Sequence, residues 1–300
     1  MSYDLRYARP EDAPSVKALW DICFPGEAPF SDYFFAELYD PAYALLCVRE
    51  DGSPAGMLHM LPCAMRWLGR EVPTAYIYGL AVHPDDRRRG VASDLLDQAL
   101  FEMHLRGILL AVLIPQEDWL FSFYRPFGFA PVFRHPKRTY RFAQTPRPAG
   151  EGDIPLLGAL YEAHLGARAH LTRPPAHWRQ ILRECALSGG RVLLDGHDGY
   201  AVYPDGGDEP SECFGPGAAE AGPPVPFGCL RIVKAVRALE LAAQAGRSTP
   251  KGPAEDDYAP WNLAPEDGTA APPDAPVWDA AALAEALFAP DNPYMHLMHN

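Results

Sequence analysis

The sequence predicts an α+β protein, a mixed sheet flanked by helices and followed by a second α/β lobe. Strand-like and amphipathic helical stretches alternate through the first half of the 300 residues, and a glycine turn at His83 to Ser93 joins one to the other. A proline- and glycine-rich break, FAQTPRPAGEGD around residues 143 to 153, then precedes a fresh run of elements. Length favours two units, each able to bury a core, and we expect them at 1–145 and 146–300.

In order, Pro10 to Phe24 carries Val16, Leu19, Trp20 and Phe24 at helical spacing and stops at Pro25-Gly26. Ser31 to Tyr39 is a second amphipathic segment. Tyr43 to Glu50 and Ala55 to Arg66 read as a hairpin around Asp51-Gly52-Ser53. Arg70 to Val82 reads as a strand that runs into HPDDRRRG and a helix over Val91 to Leu105, and ILLAVLI is a buried strand ending at Pro115. In the second half, helices are expected at Ile154 to Ala167 and His177 to Leu187, with strands at Arg191 to Leu194 and Gly199 to Tyr203. Residues 204 to 228 hold twelve Gly or Pro in twenty-five positions and read as a loop. Helices are expected again over Leu230 to Ala245 and Asp279 to Phe288, with proline-rich sequence at 246–276 between them.

The formal charge of −13 argues against nucleic acid or an anionic membrane as a partner, since a phosphate backbone demands a basic face. Residues 1–145 carry 18 acidic and 15 basic side chains, against 21 and 11 in the remainder. A site between the halves would therefore have an acidic wall able to draw in amines, although an uneven charge is also what solubility alone produces. Six scattered cysteines form no metal or redox motif and read as reduced, mostly core residues. No run approaches the roughly 18 apolar residues of a membrane span, and the start MSYDLRYARPED is too polar for a secretory signal. A cytoplasmic location is expected.

The strongest chemical signal is Arg87-Arg88-Arg89-Gly90-Val91-Ala92, which fits the pattern Arg/Gln-x-x-Gly-x-Gly/Ala. A pyrophosphate needs converging N–H donors without obstruction, and a glycine turn opening a helix supplies them. A second signal is LFSFYRPFGF, residues 120 to 129. Most of its aromatics read as packing, but Tyr124 carries a phenol suited to protonating a departing thiolate. His59 and His83 have no orienting partner that the sequence singles out, and His83 reads as a turn residue.

At these residues the chain resembles the GNAT superfamily of N-acetyltransferases. The resemblance implies acetyl-CoA as co-substrate, with Leu80, Ala81 and Val82 pairing with its pantetheine arm and Arg87, Arg88, Arg89, Gly90, Val91, Ala92 and Ser93 around its pyrophosphate. FYRPFGF is similar to that family's Phe-Tyr-x-x-x-Gly-Phe segment, which makes Tyr124 the general acid. With a second lobe fused behind it, and with RPPAHW, GYAVY and LRIVKAVRALELAA in that lobe, the chain further resembles the enhanced intracellular survival (Eis) type. That likeness implies a degenerate GNAT-like portion at about 150–228 and a shortened sterol-carrier-like segment at about 229–300. It also implies the α-carboxylate of Asn300 as general base, and it allows a homo-oligomer. The expected acceptor is a small-molecule or peptide amine, cationic in character. The rival reading is a non-catalytic GNAT-fold protein that senses acetyl-CoA or another ligand.

Overall fold

The computed structural model describes residues 3–247, 280–291 and 293–295. The chain runs β1 (Asp4–Tyr7), α1 (Ala13–Cys23), α2 (Ala28–Tyr33), β2 (Ala44–Val48), β3 (Pro54–Trp67), β4 (Arg70–Val82), α3 (Val91–Leu105), β5 (Leu110–Leu113) and α4 (Asp118–Tyr124). It continues through β6 (Ala130–His135), β7 (Arg138–Tyr140), β8 (Arg147–Pro148), α5 (Ile154–Leu165), β9 (His170–Leu171), α6 (Pro175–Leu187), β10 (Arg191–Asp195) and β11 (Gly199–Tyr203). The last elements are β12 (Glu212–Phe214), β13 (Ala218–Glu220), β14 (Val225–Ile232), α7 (Ala235–Gln244) and α8 (Ala280–Phe288). No described helix is long and apolar enough to cross a membrane.

The main sheet has the order β1-β2-β3-β4-β5-β14-β6, with β9 paired to β3. Among the described residues its one parallel strand pair is β4 with β5. Alternation along β2 assigns the two faces: Leu45 and Cys47 point to one core with Leu95, Leu96 and Ala99 of α3, while Ala44, Leu46 and Val48 point to another with Val16, Leu19 and Trp20 of α1. On that second face, α7 and α8 cover the β5-β14-β6 end through Leu241, Ala242, Leu283, Leu287 and Phe288. Phe288 stacks on Trp67 at 4.5 Å.

A smaller antiparallel sheet, β12-β11-β10-β8, packs against α5 and α6. Its core is closed by a buried polar knot. Arg173 donates to both Glu212 oxygens at 2.6 and 2.8 Å, and the Tyr200 and Tyr294 hydroxyls donate to the same carboxylate at 2.7 and 2.6 Å. A buried guanidinium–carboxylate pair is tolerable only when its remaining oxygen capacity is filled, and the two phenols fill it.

The structure departs from expectation at 204–228, which is three strands and their turns rather than one loop. The glycines there serve close approach. A Cβ on Gly217 would lie 2.1 Å from the Arg141 carbonyl oxygen, and one on Gly215 would lie 2.7 Å from the Asp198 carbonyl oxygen. Pro226 and Gly228 fall where the β14–β6 register shifts, the kind of position at which a sheet accepts them. The helix expected from Leu230 instead begins at Ala235. Cys229, Leu230 and Ile232 are buried in the slot between β5 and β6, and strand pairing there overrides helical periodicity. The segment from 229 onward, expected to be sterol-carrier-like, thus contributes β14, α7 and α8 to the main sheet and its cover.

Candidate active site

The β4–β5 ladder extends only from Thr74 to Tyr76 on β4. Beyond it β5 ends at Leu113 while β4 runs on to Val82, and among the described residues no strand pairs that edge. The strands splay into a crevice of about 100 Å³, lined by Tyr76 to Leu80 on one side and by Leu113, Ile114 and Tyr124 on the other. A bulge aims the edge: β4 carries one residue too many between Tyr78 and Ala81 opposite β3. Gly79 meets this with φ +57°, and a Cβ there would sit 2.4 Å from Cζ3 of Trp20. Around Leu80, Ala81 and Val82 the edge of β4 away from β3 therefore carries no strand among the described residues, as docking of an extended amide-bearing arm requires. Val82 O is in part engaged locally, accepting from Arg87 Nε at 3.4 Å.

The turn between β4 and α3 is pinned from beneath by Asp86, which is buried and accepts from the Tyr3 hydroxyl at 2.8 Å and Arg49 Nε at 2.9 Å. Asp85 N–H donates to His83 Nδ1 at 3.3 Å, so His83 holds the turn, as expected. Arg88 sits at φ +63° and Gly90 at φ +85°. Among the described residues, the one atom within 4 Å of a Cβ on Gly90 would be Asp94 Oδ2 at 3.8 Å. The approach to the α3 N-terminus is thus open, and no side chain caps it. Arg87, Arg88 and Arg89 are exposed around that opening. Free first-turn N–H groups of Val91, Ala92 and Ser93, the positive end of a helix dipole and a rim of guanidinium groups form a donor set that fits a pyrophosphate.

Tyr124 ends α4 at the crevice wall, 8% exposed, with its ring against Phe123 and Phe129. Burial, with Cys229 nearby, pushes its phenol well above the ordinary value, so it keeps its proton. Gly128 fixes the turn that follows. Its φ is +79°, and a Cβ there would lie 2.7 Å from Ala280 of α8. Arg231 of β14 donates to the Phe127 carbonyl, so the inserted strand supports the tyrosine from below. His59 lies inside the aromatic cluster of Trp20, Phe34 and Tyr39, where burial lowers it to about 4 and keeps it neutral.

A far larger cleft, about 1410 Å³, opens between the main sheet and α6. It meets the crevice at Tyr76 and Tyr78, which line both. Around the cleft stand Glu37, Glu71, Glu151, Glu162 and Glu184 against Arg66, Arg173, Arg179 and Arg183. Arg173 is consumed by Glu212, and Arg66 lies 3.5 Å from Glu162, which leaves the wall acidic in balance. Glu184 is 3% exposed, and its burial raises the carboxyl to about 7 despite the 2.8 Å hydrogen bond from Gln180. Cys63, also on the wall, is pushed up to about 12 by burial.

The structure therefore brings Leu80, Ala81, Val82, Tyr124 and the Arg87 to Ser93 turn around one splayed strand pair. Asn300 lies outside the described residues. Sequence reasoning missed Tyr76, Tyr78 and Glu184. The last had a signal: it falls three residues after Ile181 on the buried stripe of α6, with Trp178 and Cys185, where an acid is out of place.

A strand splay, a bulge and a phosphate-ready helix start meet in one sheet, and comparison with known proteins finds a similar domain. Residues 4–132 match the family model described as an acetyltransferase (GNAT) domain. Over that span the chain is similar to a GNAT domain. The matched span stops at β6, yet the sheet it belongs to receives β14 from about a hundred residues further on.

The fold beyond the domain is also shared. A GCN5-related N-acetyltransferase from Anabaena variabilis superposes with TM-score 0.62 at 18% identity, over 84% of this chain and 76% of that one. A probable N-acyltransferase from Enterococcus faecalis gives 0.61 at 14%, over 78% and 73%. Eis1 from Mycobacterium abscessus gives 0.58 at 17%, over 84% and 78%. At such identities the likeness is one of fold.

Proposed function

We propose that this chain is an acetyl-CoA-dependent N-acetyltransferase of the Eis-like, multi-lobe type, moving an acetyl group directly to an amine held between the lobes. The observation that carries the reading is the junction at Tyr76 and Tyr78, where a narrow crevice suited to a thioester arm opens into a wide acidic cleft. The fold shared with Eis1 over most of the chain supports the type. Backbone N–H groups near Leu80 to Val82 polarise the thioester carbonyl, the amine attacks from the cleft, and Tyr124 gives its proton to the leaving sulfur.

The raised phenol does not spoil that match. The same desolvation that raises the phenol disfavours the charge on a thiolate leaving beside it, so both members of the pair shift upward. Direct transfer is favoured over an acetyl-enzyme, because the cleft's own thiol, Cys63, stays protonated and unreactive at neutral pH. The acidic wall selects a cationic acceptor.

The test is thiol release from acetyl-CoA with spermidine, kanamycin and a lysine peptide. Wild type turns over with at least one of them. Tyr124→Phe binds acetyl-CoA equally and loses on the order of 10²–10⁴ in kcat. Tight acetyl-CoA binding with no turnover on any amine would favour the ligand-sensing alternative.

A further inference from the structure

The acetyltransferase reading leaves open what kind of amine the cleft receives, and the cleft is not uniform along its length. On its sheet wall Leu61 of β3 pairs opposite Tyr76 of β4, beside the crevice, while Arg66 pairs opposite Glu71, five residues away. At the rise of a strand that is roughly 16 Å. The far end is charged, with Glu71 and Arg66 on opposed strands and Glu162 at 3.5 Å from Arg66.

The near end is aromatic. The rings of Tyr76 and Tyr78 lie 5.3 Å apart, and Tyr78 packs against Phe30 at 6.4 Å and Phe34 at 5.6 Å. Tyr33, Leu38, Leu61 and Tyr78 are half-buried cleft-lining residues, so each keeps part of its surface for an occupant. Burial pushes the phenols of Tyr76 and Tyr78 far above the ordinary value, the mark of a water-poor wall. Glu37, Glu184 and Arg183 are felt at Tyr33, and all three stand on the helical side rather than on the sheet. Rings already packed on one another present a fixed face, which a flat aromatic partner meets at little ordering cost. A polyamine would bring charge to this end without an apolar body to fill it.

We propose that the acceptor is an arylalkylamine, its aromatic ring against Tyr33, Leu61 and Tyr78 and its primary nitrogen, a short alkyl spacer away, at the mouth of the crevice. This deepens the acetyltransferase reading and rests on it. The apolar surroundings favour the neutral amine that attacks, since desolvation disfavours an ammonium. One proton leaves R–NH3⁺ for cleft water, and the nitrogen forms the C–N bond as the C–S bond breaks. Tyr124 protonates the sulfur, and the second nitrogen proton restores the phenol through water. The sum is one amide, one thiol and one released proton.

The test is thiol release by the full chain with tryptamine and 2-phenylethylamine against spermidine and kanamycin. In wild type, kcat/KM for tryptamine exceeds that for spermidine on the order of 10²-fold, the factor that burying one ring supplies. Tyr33→Ala raises KM for tryptamine about 10-fold with little change in kcat, and Tyr33→Phe, which keeps the ring, restores it. Spermidine or kanamycin used as well as tryptamine, or a tryptamine KM indifferent to Tyr33→Ala, overturns the proposal; the wild-type ratio decides by itself where the alanine variant does not fold. Absence of turnover in wild type with every amine overturns the acetyltransferase reading instead. Calorimetry on wild type then still decides the aromatic end, tighter binding of tryptamine than of spermidine supporting it and equal or weaker binding overturning it.

Discussion

Glu184 and Tyr124 are both acids whose protons are held by burial, but they affect pH dependence differently. Tyr124 starts near 10 and is pushed higher, so no alkaline loss of activity below that range comes from it. Glu184 moves from an ordinary 4.5 to about 7. Below pH 4.5 it is protonated in the folded and unfolded chain alike and costs nothing. Between 4.5 and 7 the unfolded chain ionises first, and above 7 the folded protein must bury the charge. The stability tied to this residue is therefore present at low pH and is lost as pH rises through 7. Glu184→Gln should gain up to about 3 kcal/mol at pH 8 and almost nothing at pH 4, readable by urea unfolding at the two pH values. Gly79 is demanding for another reason, since its φ is positive and its Cβ position is occupied by Trp20. Gly79→Ala should cost roughly 2–4 kcal/mol and weaken acetyl-CoA binding. Gly52→Ala, at φ +85° with nothing within 4 Å, should cost only about 1 kcal/mol and leave binding intact.

Among the elements, α8 does most to close the sheet near the site. Phe288→Ala removes a fully buried ring stacked on Trp67 and should cost about 3–5 kcal/mol, with a matching drop in thermal midpoint. Local elements were legible where one periodicity dominates. The strand at Arg70 to Val82, the helix at Val91 to Leu105 and the strand at Gly199 to Tyr203 all fall where the pattern puts them. β14 was hidden because its first half carries Pro226 and Gly228 and its second half merges into the helical pattern of α7. Only the empty slot between β5 and β6, a long-range feature, says that Leu230 to Ile232 must extend. The phosphate turn was legible because it is contiguous. The cleft was not, because Tyr76, Tyr78 and Glu184 meet only after α6 folds back over the sheet.

In the whole molecule, β14 makes the main sheet depend on the far half of the chain, and β9 on β3 ties the halves together again. A fragment ending near residue 145 would lack the strand between β5 and β6 and the Arg231 support beneath the tyrosine turn, so it should not bind acetyl-CoA as the full chain does, which calorimetry would show. The same architecture makes Tyr76 and Tyr78 walls of both the narrow crevice and the wide cleft, the proposed donor and acceptor sites. The most direct test of the central claim is to follow one reaction by two readouts, thiol release from acetyl-CoA and the mass of the amine offered. Acetyl transfer predicts that an acceptor gains one acetyl group for each thiol released, and that both readouts fall together in Tyr124→Phe. Thiol release without an acetylated amine, or an acetylation rate indifferent to Tyr124, would contradict it.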